Sequence, residues 1–323
     1  METVEFDAAA VRTYEENHGR KVRVRDITKA DLKSVPDHDF IFGGFPCQTF
    51  SRNGKFYNKN NRTLGDDDRK NLVFYLLETI RLKRPSFFVF ENVKELTTIR
   101  NSDGSSFLAT LLDNVADLGY SVKWKILDSA DFGLPQQRKR VVFVGSRDEN
   151  LEGFEFPVGP TSVKSLRPCA KDFMDAEVPE KYLIRNLWRN RKNVRLPGTR
   201  LDAISEAYRS GKWRNDYSAP TGEITPVAII YGDTPSGLPR QQDKVYSRWG
   251  ISPTIATFST PAFDAGQGDR ILTPRECFRM QGFPETMRIP ESDAVAYKQA
   301  GNAVSVPVIE AVVRAVADRY LKA

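Results

Sequence analysis

The chain has 323 residues, 28% charged and 40% apolar, with a formal net charge of +6. This is the make-up of a globular protein with a full core, and it excludes disordered and fibrous classes. No apolar run approaches the ~20 residues a membrane span needs, and the opening METVEFDAAA carries acids where a signal peptide is basic, so a cytoplasmic setting with no membrane partner is expected. Cys47, Cys169 and Cys277 are widely scattered, with only His18 and His38 to join them, which argues against a disulfide framework and a zinc site.

Asp7 is placed to cap a helix running to about Asn17, and Gly19 to close it. DFIFGG (39–44) is a short apolar run ending in glycines and reads as a buried strand. Leu72, Val73, Leu76, Leu77 and Ile80 recur at helical period after Asp66-Asp67-Asp68, and Pro85 stops that helix. SFFVFEN (86–92) reads as the next strand and Phe107 to Leu118 as the next helix, closed by Gly119. VKWKIL (122–127) and RVVFVG (140–145) follow as strands. The rhythm predicts an open α/β sheet, in which ligands gather beyond the carboxyl ends of strands. Both FGGFPC and FENV fall at such ends.

From about Leu151 the rhythm breaks into prolines, glycines and a basic cluster, up to about residue 260. Between Glu180 and Asp216 stand ten Lys or Arg against four acids, interleaved with Tyr182, Trp188, Tyr208 and Trp213. Such a segment fits a nucleic-acid surface and equally a solvated helical face. Helical patterning returns in TPRECFRMQ (273–281). It also marks a closing helix whose Ile309, Val312, Val313, Val316 and Tyr320 share one face, with Pro307 near its first turn.

Two side chains stand out. A free cysteine is most often a small buried hydrophobe, but Cys47 follows a strand end, in a turn shaped by Gly44 and Pro46. A polar loop with Arg52, Lys55, Lys59 and Arg62 comes next. A thiol near its reference pKa of ~8.5 is only slightly ionised at neutral pH, so a nucleophile here needs positive charge or turn amides, and the surroundings can supply both. Glu91 closes an apolar strand; burial would raise its pKa and let it donate to a ring nitrogen, whereas the plainer reading is a residue capping the next turn.

GFPCQTFS (44–51) resembles the nucleophile motif of the C5-cytosine DNA methyltransferases, FENV (90–93) their Glu-Asn-Val motif and LPQQRKR (134–140) their Gln-x-Arg-x-Arg motif. RILTPRECFRMQGFP (270–284) is similar to the family's Arg-Glu helix and KQAGNAVSVPV (298–308) to its closing Gly-Asn motif. All five occur in the family's order. The resemblance implies an α/β, Rossmann-like S-adenosylmethionine-dependent methyltransferase sheet with a smaller, irregular, β-containing target recognition domain. The catalytic domain would be 1–154 plus 292–323, and the recognition domain 155–291.

The resemblance also implies the chemistry. Cys47 would add to C6 of a cytosine flipped out of duplex DNA, and Glu91 would bond to N3 and the exocyclic amine. Arg138, supported by Arg140, would face the base or nearby backbone. The loop after Cys47 would close as a lid hinged near Gly54. For S-adenosylmethionine the matching positions are Glu5 on the ribose, Phe6 on adenine, Asp26 and Ile27 beside adenine, Pro46, Leu72 as an apolar wall, and Asn302 with Val304 at the methionine end. Gln48, Ser51 and Arg52 match DNA-contacting positions, and Thr254-Ile255 resembles the Thr-Leu element that supports the flipped base. Arg240, Gln241 and Gln242 are groove or phosphate readers in this reading. The implied partners are double-stranded DNA and, functionally, a restriction endonuclease.

Family members open with a strand and a Phe-x-Gly-x-Gly-Gly loop. Here Met1 falls within what resembles the second strand, and the one later Gly-x-Gly, Gly266-Gln267-Gly268, reads as a turn. A misassigned start, a complementing N-terminal polypeptide and an inactive copy are the three explanations, and the intact downstream motifs favour the first. The alternatives to a DNA enzyme are a tRNA cytosine C5 methyltransferase and a non-catalytic DNA-binding remnant.

Overall fold

The computed structural model describes residues 3–22, 26–45, 72–101, 103–184, 219–229, 241, 244–257, 259–265 and 268–321. Contacts divide the chain into two compact units. The first is Met1–Leu127, Lys139–Pro157 and Glu310–Ala323; the second is Asp128–Arg138 and Val158–Ile309.

In the first unit, α1 (Ala8–His18) is bounded as its sequence predicts. Asp7 accepts from the Ala9 and Ala10 amides, and Gly19 closes the helix at φ 62° with its amide on the Glu15 carbonyl. The strands are β1 (Phe40–Gly44), β2 (Phe87–Val93), β3 (Ser121–Asp128) and β4 (Lys139–Ser146), in the order β1-β2-β4-β3. β1 runs parallel to β2, and β2 antiparallel to β4. Two helices follow their predicted positions, α2 (Leu72–Lys83) and α3 (Phe107–Asp117).

Both faces of β2 are covered. Phe88 and Phe90 pack with Ile80, Leu111, Val115 and Phe143, while Phe87, pointing the other way, meets Tyr320 at 5.5 Å between ring centres. A fully buried side chain such as Ile80, at 0% exposure, contributes about 1.5–3 kcal/mol. Phe88 lies across Gly145, where a Cβ would sit 2.0 Å from its ring. The stretch ahead of α1, expected as a strand, forms no strand among the described residues.

The second unit holds a small sheet, β5 (Pro226–Ile229), β6 (Lys244–Ser247), β7 (Ala262–Asp264) and β8 (Asp269–Ile271), in sequential order. Next come α4 (Pro274–Arg279), started by a Thr273/Glu276 capping box with Pro274 in its first turn, and α5 (Asp293–Asn302). The closing helix α6 (Val306–Val316) begins in this unit and ends in the first. The stretch Asp293–Leu321 has the average hydropathy of a membrane span, but it is broken at Ala303, whose backbone is extended.

These units depart from the division expected from sequence at 128–138 and 292–309, which join the second, and at 155–157, which join the first. The cause is packing. Ala296 and Ala300, both at 0% exposure, share a cluster with Phe278, Met280 and Ile255, and α5 itself was not anticipated.

Candidate active site

Glu91 lies near the carboxyl end of β2, directly opposite Gly44 on the parallel β1 and Val142 on the antiparallel β4. Arg140, two residues from Val142, therefore shares Glu91's face as its diagonal neighbour, within reach of a long side chain. Its Nε stands 3.0 Å from Glu91 Oε1, with the two side chains 16% and 13% exposed. On the other flank, Gly44 has no side chain to cover the carboxylate. A Cβ there would stand 3.6 Å from Oε2.

Asn92 is a residue the sequence reading passed over. It is 1% exposed, donates from Nδ2 to the Phe45 carbonyl at 3.2 Å and accepts the Val93 amide on Oδ1. It thereby ties the end of β2 to the peptide just ahead of Pro46-Cys47. Its signal was present in FENV, where the reading weighed only the acid.

Arg138 goes elsewhere. It precedes β4, is 3% exposed, and donates to the carbonyls of Ile255 (3.1 Å), Gly301 (2.9 Å) and Ala303 (2.8 Å), all in the second unit. The arginine beside Glu91 is thus Arg140, not Arg138. Gln136, unmarked by the sequence reading and 0% exposed, bridges the Met280 carbonyl and the Ile255 amide. Thr254 donates its hydroxyl to the Gln137 carbonyl, and Ile255 is 1% exposed, so this pair is a scaffold with internal partners. Gln241, expected as a groove or phosphate reader, donates its amide to the Thr254 carbonyl at 2.6 Å.

The cofactor candidates of the first unit are available on its surface. Phe6 is 71% exposed, an unusual position for so large an apolar ring unless something packs on it. Glu5 accepts the amides of Phe6 and Asp7 on Oε1. Asp26 is exposed, and bonds from the Thr28 hydroxyl and amide hold its carboxyl below the usual range. Ile27 and Leu72 are half-buried. In the second unit, Asn302 is exposed at the end of α5 and Val304 half-buried beyond it. Pro46, Cys47, Gln48, Ser51, Arg52, the Gly54 hinge, Arg240, Gln242, Gly266, Gln267 and most of the basic cluster lie outside the described residues, whereas Gly268 is described, at φ 134° and with its carbonyl accepting the Ala265 amide at 3.2 Å.

The other two cysteines are structural. Cys277 is 0% exposed, with burial and the neighbouring Glu276 pushing its thiol well up; burial and Asp172 raise Cys169 likewise. Iodoacetamide at pH 8 is expected to spare both until denaturant is added, with peptide mass spectrometry as the readout. Labelling of either in the native protein contradicts this packing.

The fold is that of the Rossmann-like methyltransferases. The chain resembles Entamoeba histolytica methyltransferase EhMeth with a TM-score of 0.65 at 16% identity, covering 100% of this chain and 90% of that one. For S. pombe Dnmt2 methyltransferase the TM-score is 0.62 at 15% identity, covering 99% and 91%. Residues 2–318 match the C-5 cytosine-specific DNA methylase family, and the chain belongs to that family. Among its relatives are the type II methyltransferases M.NlaX of Neisseria lactamica, 33% identical over 95% of this chain and 85% of that protein, and M.NgoBI of Neisseria gonorrhoeae, 35% identical over 95% and 82%.

Proposed function

We propose that the protein transfers a methyl group from S-adenosylmethionine to C5 of a cytosine flipped out of a specific duplex sequence, as the modification half of a type II restriction system. The observation that carries the reading is the Glu91–Arg140 pair at a strand end, beside side-chain-free Gly44, which itself lies three residues upstream of Cys47 in sequence. The type II names of the relatives support the restriction context.

Cytosine C5 is a poor nucleophile. The Cys47 thiolate adds to C6, N3 takes up a proton from Glu91, and the ring becomes an enamine with electron density at C5. Arg140 holds the Glu91 carboxyl against the base. Glu5, Phe6, Asp26, Ile27, Leu72, Asn302 and Val304 would hold S-adenosylmethionine, which would supply the electrophilic methyl group to C5 and leave as S-adenosylhomocysteine. Loss of the C5 proton to a base, return of the N3 proton to Glu91 and cleavage of the sulfur–C6 bond restore aromaticity and the thiolate. The exposed Phe6 ring, the Asp26 carboxylate and the exposed Asn302 suit an adenine ring, a polar group and a zwitterionic tail. The β1–β4 unit carries this chemistry, and the other unit carries most of the DNA reading.

The test uses a duplex pool with 5-fluorocytosine in place of cytosine, which cannot lose its C5 substituent as a proton. With S-adenosylmethionine present, a denaturant-resistant protein–DNA adduct through Cys47 is the expected result. DNA binding without an adduct and without cofactor affinity instead marks a non-catalytic remnant, and methyl transfer confined to tRNA marks an RNA enzyme.

A further inference from the structure

Resting on that reading, we infer that Arg138 is a positioning residue that joins the base-supporting segment around Thr254-Ile255 to the cofactor-facing segment around Asn302, so that DNA and cofactor bind cooperatively. Three observations within the second unit carry this. The Arg138 guanidinium serves carbonyls from both segments, Ile255 on one side and Gly301 and Ala303, the two neighbours of Asn302, on the other. A planar fork with five donors can span acceptors converging from two chains; the compact ammonium of lysine cannot.

The segments also touch backbone to backbone. A Cβ on Gly301 would stand 2.5 Å from the Ala256 carbonyl carbon and the Thr257 nitrogen, so α5 lies directly on the 254–257 stretch. Finally, the base-supporting segment has little freedom of its own. Gln241 holds the Thr254 carbonyl, the Gln137 carbonyl takes the Thr254 hydroxyl and Gln136 takes the Ile255 amide. With both segments held on one buried cation and Thr254-Ile255 having no independent freedom, a ligand that shifts the Asn302 end carries Thr254-Ile255 with it, and the second ligand meets a segment already in its bound position.

The experiment measures a thermodynamic cycle on the 323-residue protein. Filter binding of sheared unmethylated plasmid DNA is titrated with and without saturating S-adenosylhomocysteine, and calorimetry of S-adenosylhomocysteine with and without DNA. In the unaltered protein each ligand should tighten the other about tenfold. Arg138→Lys should reduce that factor to near one, whereas Arg140→Lys, which alters the Glu91 pair instead, should slow methyl transfer but leave the factor intact.

A measurement without any variant guards against misfolding. Hydrogen exchange of the unaltered protein should show S-adenosylhomocysteine alone slowing amides at 252–257 and DNA alone slowing those at 299–304. Coupling that survives Arg138→Lys, ligands that bind without coupling, or protection confined to each ligand's own segment overturns the inference and leaves the proposed function standing. Failure of the unaltered protein to bind either ligand overturns both.

Discussion

Cys47→Ser should reduce methyl transfer by at least about 10⁴-fold, to below detection in single-turnover incorporation of a labelled methyl group, while DNA binding stays within twofold or so of the parent. A serine hydroxyl is almost wholly un-ionised near neutrality and is a far weaker nucleophile toward the conjugated C6, so the enamine that makes C5 reactive does not form. Glu91→Gln should act on the same step, costing about 10²–10³-fold. Its amide has no proton to give N3, and it cannot become the carboxylate that Arg140 Nε, 3.0 Å away, stabilises once that proton has been given. If Cys47→Ser retains transfer within tenfold of the parent, the covalent route is wrong whatever the fate of Glu91.

The largest expected effect on stability lies in the second unit. Glu276 is 0% exposed, and its two oxygens accept from both terminal nitrogens of Arg270 (2.7 and 2.8 Å) and from the amides of Asp175 (2.6 Å) and Thr273 (2.7 Å). Arg270, 3% exposed, also donates to the Asp175 carbonyl at 2.9 Å. One carboxylate thus starts α4, neutralises β8's arginine and fixes the loop at 175. Glu276→Ala strands a buried guanidinium and two amides together, and should cost about 3–5 kcal/mol. Against a total of about 5–15 kcal/mol, that is enough to lower the urea midpoint severely. The double change Arg270→Met with Glu276→Leu should be less destabilising than Glu276→Ala, because it removes both charges. Equal losses in the two proteins contradict the account.

Local features were legible in the chain because their causes are local. Asp7 and Gly19 bound α1 through bonds that span two to four residues. The strands at 40–44, 87–93, 121–128 and 139–146 announce themselves as apolar runs between turns, and Glu91 is conspicuous as an acid closing one of them. α5 was hidden because its sequence is alanine-rich and polar, with burial confined to Ala296 and Ala300, so it offers little apolar periodicity. The extent of the compact units was hidden too, since it depends on what those two alanines pack against.

The two arginines of LPQQRKR show the divide most plainly. The sequence by itself determined that two guanidiniums follow Gln136-Gln137, two residues apart, and that a carboxylate waits at the end of another strand. Only the tertiary structure decided that Arg140 meets Glu91 while Arg138 is buried on carbonyls 117, 163 and 165 residues away. The two have the same charge and donors; strand register and long-range packing, which no short stretch encodes, give each its acceptors.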